Sequence, residues 1–271
     1  MRIGLLAGSG SLPRQVHDAL LNEGHEVVPV MLGDAQPILP DATICPLDRP
    51  GRLIRHLRAK GATKLIMIGR LERPIVSTLR PDLKGWRILP KIIKGLRQGD
   101  DGLLRAVAQI FEDEGFEIIN PLAHVPNLSL AAGSFGVPHV AHLEDINRGW
   151  ALLDDLSSHD IGQACVVRAG NVIAIEAAEG TDAMLERVAD LSDGRSGRQR
   201  QPSGVLVKKP KSAQDMRFDL PAIGPRTMEL VAQAGLAGIC VAADGFVLAE
   251  PEASKKAVAE YDLFLLIRDH S

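Results

Sequence analysis

The chain has 271 residues, 45% apolar and 24% charged, with a formal net charge of −3. That length accommodates one large or two small domains around a substantial core, and the composition excludes a disordered or fibrous chain. Without a basic excess, and with aromatics at only 3%, it carries neither the charge nor the stacking surface of a nucleic-acid binder.

The N-terminus, Met1-Arg2-Ile3-Gly4-Leu5-Leu6, enters a strand pattern at once and has no signal-peptide layout. Ile3–Ala7 is a compact apolar run, followed by Val27–Leu32, the weaker Thr43–Leu47, Lys64–Ile68 and Ile118–Pro121. Such short, nearly continuous runs suit strands covered on both faces. Helical patterns lie between them. Pro13–Glu23 carries proline in its first turn and stops before Gly24, Gly51–Lys60 stops at Gly61, and Leu103–Glu114 repeats apolar residues at helical spacing. No element is assigned between Ile68 and Leu103. Alternating strand and helix predict a parallel sheet with helices on both faces.

Proline, glycine and asparagine crowd residues 121–143, which read as loop. We therefore expect a Rossmann-like domain over 1–125, a linker over 126–147 and a mixed α/β domain over 148–271. In that second domain Ala164–Arg168 and Asn171–Glu176 flank Ala169-Gly170 as a hairpin. Ile239–Ala242 and Phe246–Ala249 bracket Asp244-Gly245 as another. Thr181 reads as the N-cap of a helix over 182–191, with further helices over 227–234 and 251–260 and a last strand over 263–267. No run approaches the ~18–20 apolar residues of a membrane span. Cys45, Cys165 and Cys240 are far apart, so a reducing cytosol is the expected compartment.

Four segments could carry chemistry. Gly8-Ser9-Gly10, followed by Ser11-Leu12-Pro13, lets the chain turn sharply after the first strand and approach a ligand, beside helix N–H groups that favour phosphate. The third glycine of a dinucleotide fingerprint is missing and no acidic residue closes the second strand, so a nicotinamide oxidoreductase is the weaker reading. Gly69-Arg70 follows the fourth strand, where open parallel sheets bind ligands and an arginine could clamp phosphate oxygens. Asp100 and Asp101 precede a helix and could cap it or hold Mg²⁺. Thr181 and Asp182 open another helix and could cap it or bind phosphate. The densest segment is 208–224, where Lys208, Lys211, Gln214 and Asp219 stand among apolar residues. Cations there could neutralise a diphosphate while a carboxylate holds a metal or orients a water. His124, His139 and His142 lack metal-ligand spacing and read as solvated.

Five stretches, Gly4–Pro13, Gly99–Arg105, Asp160–Gln163, Glu179–Leu185 and Gln214–Gly224, resemble in order the bacterial UDP-2,3-diacylglucosamine pyrophosphatases of lipid A biosynthesis, in their two-domain, non-calcineurin form. The chain departs from that pattern at Ser9, commonly glycine, and Asp215, commonly glutamate. The resemblance implies a Rossmann-like domain, a second α/β domain and an active site in the cleft between them. It implies Mg²⁺-dependent attack of water on the diphosphate of UDP-2,3-diacylglucosamine, giving UMP and 2,3-diacylglucosamine 1-phosphate (lipid X). It places the catalytic aspartate on Asp219, with Asp100 and Asp101 as further metal candidates, and adds Gln163 and Leu12 to the substrate contacts. It also implies a homodimer, in the cytoplasm or peripheral on the inner membrane, that touches the membrane surface transiently. The alternative is a non-catalytic nucleotide-sugar-binding module.

Overall fold

The structure is a computed structural model that describes residues 1–33, 38–71, 80–97, 99–159, 161–193, 202–212, 214–217 and 220–269. By its internal contacts the chain divides into two compact units, one of Met1–Asn127 together with Asp215–Leu220, the other of Leu128–Gln214 together with Pro221–Ser271.

In the first unit the apolar runs become β1 (Arg2–Ala7), β2 (Glu26–Leu32), β3 (Thr43–Cys45), β4 (Lys64–Ile68) and β5 (Glu117–Ile118). They form one all-parallel sheet in the order β3-β2-β1-β4-β5. Leu5 pairs with Pro29 on one side and Ile66 on the other. Ile3, Leu5, Leu6, Leu65 and Ile66 are fully buried, each stabilising the sheet by about 1.5–3 kcal/mol relative to exposure. Among the described residues the α-helices that accompany it are α1 (Leu12–Asn22), α2 (Pro50–Ala59), α3 (Leu83–Leu96) and α4 (Gly99–Asp113). In α1 the buried Val16 and Leu20 sit one turn apart, and in α2 Leu53, Ile54 and Leu57 face inward.

The helix α3 is absent from the sequence reading because Gly85, Pro90 and Gly95 look like breakers. Tertiary packing overrides them. Asp82 caps the helix by accepting from Gly85 N–H at 2.8 Å. A side chain at Gly95 would come within 2.8 Å of the Gly102 carbonyl, so its absence lets α3 lie close against α4. The last helix begins at Gly99 rather than near Leu103, which puts Asp100 and Asp101 inside its first turn.

The second unit is built on a six-stranded mixed sheet ordered β6 (Gly133–Phe135), β13 (Phe264–Arg268), β11 (Gly238–Ala242), β9 (Val205–Lys208), β7 (Ala164–Arg168), β8 (Asn171–Ile175). The hairpin of β7 and β8 is antiparallel as expected. The hairpin expected at Asp244-Gly245 does not form. Both edges of β11 are taken by β13 and β9 in parallel, so the chain after Asp244 leaves the sheet. Val247–Leu248, β12, pairs instead with Ala222–Ile223, β10, in a separate parallel ladder. Helices α5 (Val140–Ser157), α6 (Gly180–Asp193), α7 (Pro225–Gln233) and α8 (Pro251–Glu260) complete the unit.

The stretch read as a linker carries structure of its own. Its residues 133–135 are an edge strand paired antiparallel to β13, and α5 begins within it at Val140. His139 and His142 are not simply solvated. Ala141 N–H donates to His139 Nδ1 and His139 N–H to His142 Nδ1, both at 3.3 Å, capping α5. The His142 ring stacks on Phe264. Among the described residues no helix is long and apolar enough to cross a membrane.

Candidate functional site

In the first unit the sheet order reverses between β1 and β4, which pair directly. The crevice beyond the carboxyl ends of such strands is where open α/β sheets take ligands. The loops leaving the two strands are stitched together there. Gly8 N–H donates to the Ile68 carbonyl at 2.9 Å, Ser9 N–H to the Arg70 carbonyl at 2.8 Å, and Arg70 N–H back to the Ser9 carbonyl at 3.0 Å. Ser9 Oγ also donates to the Arg70 carbonyl at 3.0 Å. The approach needs glycine at position 8, since a Cβ would stand 2.3 Å from the Arg70 oxygen. Leu12 then opens α1, whose N-cap Ser11 makes no side-chain cap bond. The first-turn N–H groups therefore have no side-chain oxygen from the cap, and they favour an anion. The structure thus brings Gly8, Ser9, Gly10, Leu12, Gly69 and Arg70 to one edge of the sheet.

In the second unit a polar chain runs through side chains. Lys208 ends β9 and is buried. A buried ammonium is costly unless hydrogen-bonded and paired. Its Nζ donates to Thr181 Oγ1 at 2.8 Å, and that hydroxyl donates to Glu176 Oε1 at 2.8 Å. The other oxygen of the buried Glu176 accepts from Gln163 N–H at 2.9 Å. Gln163 in turn accepts at its carbonyl from Lys209 N–H at 2.9 Å and at Oε1 from Gln214 Nε2 at 3.4 Å. Gln214 Oε1 accepts from Lys211 N–H at 2.9 Å. Gln163, Thr181, Lys208, Lys211 and Gln214 thus form one network. Thr181 is not the N-cap it was expected to be. It lies inside α6, which starts at Gly180, and its hydroxyl serves Lys208 and Glu176. Asp182, its neighbour, lies in the electrostatic field of Arg226.

Glu176 is the member that sequence reasoning missed. It follows a strand of ordinary alternation and carries no motif. Its one signal is an acidic residue closing a hairpin strand five positions before Thr181.

A third group surrounds the densest sequence segment. Asp215 accepts from Arg217 Nε at 2.9 Å and Nη2 at 2.7 Å, a two-pronged pair. Arg217 Nη1 donates to Glu112 Oε1 on α4 at 2.7 Å. The Arg217 guanidinium holds the Asp215 carboxyl below the usual carboxylate range, and the two carboxylates raise the Arg217 guanidinium. Residues 215–217 are thereby tied to the first unit. Asp219 lies outside the described residues, as do the side chains of Asp100 and Asp101. Among the described residues no group of three His, Cys, Asp or Glu side chains is placed to hold a metal ion. The carboxylates that border this segment, Asp215 and Glu112, are already engaged by Arg217. The described residues therefore do not by themselves make a metal site.

Both units match known sequence families. A family model described as the LpxI N-terminal domain matches residues 2–128, and one described as the LpxI C-terminal domain matches residues 133–266. The UDP-2,3-diacylglucosamine pyrophosphatase LpxI of Caulobacter vibrioides is 39% identical over 271 residues, which cover 98% of this chain and 96% of that protein. A glycine-stitched crevice at the sheet's reversal point and a lysine-centred network thus sit in a chain that is similar to LpxI along nearly its whole length, and the chain belongs to the LpxI family.

Proposed function

We propose that this chain is a hydrolase that cleaves the diphosphate of UDP-2,3-diacylglucosamine to UMP and 2,3-diacylglucosamine 1-phosphate, a step of lipid A biosynthesis. The observation that carries this reading is the identity of 39% to the Caulobacter vibrioides pyrophosphatase across both units. The chemistry of the site residues supports it. A diphosphate needs N–H donors and cations at its oxygens and a positioned water, with little covalent work from the protein. The turn at Gly8–Gly10 and the start of α1 at Leu12 bind phosphate oxygens, and Arg70 adds a guanidinium. Lys208 and Lys211 balance charge, while Thr181, Asp182, Gln163 and Gln214 orient the nucleotide sugar. Asp219 positions the attacking water or ligates metal. Bound with Asp219, Asp100 and Asp101 as its carboxylates, Mg²⁺ would supply Lewis-acid polarisation of the bridging diphosphate. A homodimer in brief contact with the inner membrane completes the reading, because the substrate carries two acyl chains.

Release of UMP from UDP-2,3-diacylglucosamine with Mg²⁺ tests the reaction, and none from the wild-type chain overturns it. Asp219→Ala is expected to lower turnover by at least ~10². A loss under tenfold removes Asp219 from catalysis. Chelation with EDTA abolishes turnover and added Mg²⁺ restores it; activity that survives chelation removes the metal.

A further inference from the structure

The helix α3 presents an unusual surface. Leu83, Trp86, Pro90, Arg87, Lys91, Lys94 and Arg97 are exposed, Trp86 by 63%. At 100° per residue Trp86, Leu89, Pro90 and Ile93 share one stripe, and they line a groove of about 550 Å³ with Lys94 and Arg97. The helix itself contains no acidic residue. Two of its cations, Lys84 and Lys91, are paired with Glu114 and Asp113. Among the described residues Arg87, Lys94 and Arg97 have no acidic partner. Pro90 also leaves the Trp86 carbonyl without its helical donor on this outward side, where a polar boundary can supply one.

A partly exposed apolar stripe with tryptophan, in which Leu89 and Ile93 are half-buried, flanked by cations without acidic partners among the described residues, is the layout of a helix that lies in the interface of an anionic bilayer. We propose that α3 is the membrane-docking face of this protein, with Trp86, Leu89 and Ile93 entering the headgroup boundary and Arg87, Lys94 and Arg97 meeting anionic lipid. Charge complementarity selects this occupant. A second copy of the chain would bring like-charged stripes together, whereas an anionic surface rewards each cation. The inference rests on the proposed function for its purpose, since docking brings the enzyme to an acylated substrate, but its test reads binding without turnover.

Trp86 and Trp150 are the two tryptophans, and Trp150 is buried at 6% exposure, so emission changes report Trp86. Vesicles of phosphatidylcholine with about a quarter phosphatidylglycerol are expected to co-float the protein and shift its emission to the blue, and raised salt is expected to release it. Vesicles of phosphatidylcholine alone are expected to bind far less. The triple variant Arg87→Glu/Lys94→Glu/Arg97→Glu should lose at least about fivefold in partition for each cation replaced, at least about a hundredfold in all. It should keep wild-type turnover of detergent-dispersed substrate. No emission shift with anionic vesicles, or equal binding by the variant, overturns the proposal. So does a concentration-dependent dimer that Trp86→Glu dissolves, which would give the face to a second copy. Vesicle binding without any UMP release from wild type would leave α3's role intact and overturn the reaction instead.

Discussion

The glycine-loop crevice of the first unit and the lysine network of the second are built from different materials. At the reversal of the first sheet the contacts are main chain to main chain, from Gly8 to Ile68 and between Ser9 and Arg70. In the second unit they run through side chains, from Lys208 by way of Thr181 to Glu176 and Gln163. The first construction is insensitive to which side chains are present but intolerant of added bulk. The second tolerates small shifts of backbone but fails when one functional group is removed. A phosphate cradle needs N–H groups held at fixed positions, which backbone supplies cheaply. Holding a buried ammonium also needs a compensating negative charge within its hydrogen-bonded network, which only a side chain supplies.

Substitutions can break or sharpen that contrast. The largest effect is expected at Gly8. Gly8→Ala forces a Cβ against the Arg70 carbonyl, so the bridge must open. Turnover should fall by about 10² or more, as displacements near 1 Å do, with about 2 kcal/mol lost from stability. Ser9→Ala removes only the Oγ bond and should stay within a few-fold of wild type in a steady-state assay. Comparable losses from the two changes would show that the crevice depends on side chains after all.

The next effect is in the side-chain network. Lys208→Met removes the cation that reaches the buried Glu176 through Thr181 and should cost about 2 kcal/mol in urea unfolding. Pairing it with Glu176→Gln removes the stranded charge, so the double variant should cost less than the sum of the singles. Additive losses would mean that Thr181 does not couple the two.

The smallest effect tests the clamp on residues 215–217. Folding lowers the Asp215 carboxyl below its ordinary value, so the pairing stabilises above about pH 3.9 and is lost as pH falls through the lowered value. Arg217→Gln should therefore be about 1 kcal/mol less stable at neutral pH. The gap to wild type should close as unfolding is measured at successively lower pH below about 3.9. A gap that persists in acid would assign Arg217 a role in packing instead.

How much of this was legible in the sequence depends on range. The strands β1, β2 and β4 and the helices α1, α2 and α8 declare themselves through local apolar runs with proline or glycine at their ends. The parallel sheet followed from their alternation, and so did the position of the Gly8 turn. Long-range pairing was not legible. Asp244-Gly245 has the composition of a hairpin, but β13 and β9 outcompete β12 for the edges of β11. The helix α3 was hidden because its glycines serve close packing rather than flexibility, Gly85 against Pro81 and Asp48 and Gly95 against α4. Glu176 was hidden because its meaning comes from Thr181 and Gln163, which approach it only in the fold. The membership of 215–220 was hidden for the same reason, since Glu112 lies 105 positions before Arg217.

That last feature bears on how the chain is made. The first unit includes residues 215–220, yet a ribosome emits its other parts almost ninety codons earlier. The nascent β-α half can collapse on its own strands but stays unfinished until nearly the whole polypeptide has emerged. A single proteolytic cut after Asn127 would likewise fail to free an intact half. Synthesis order and completion order are decoupled, and the part that begins first is the part that has to wait.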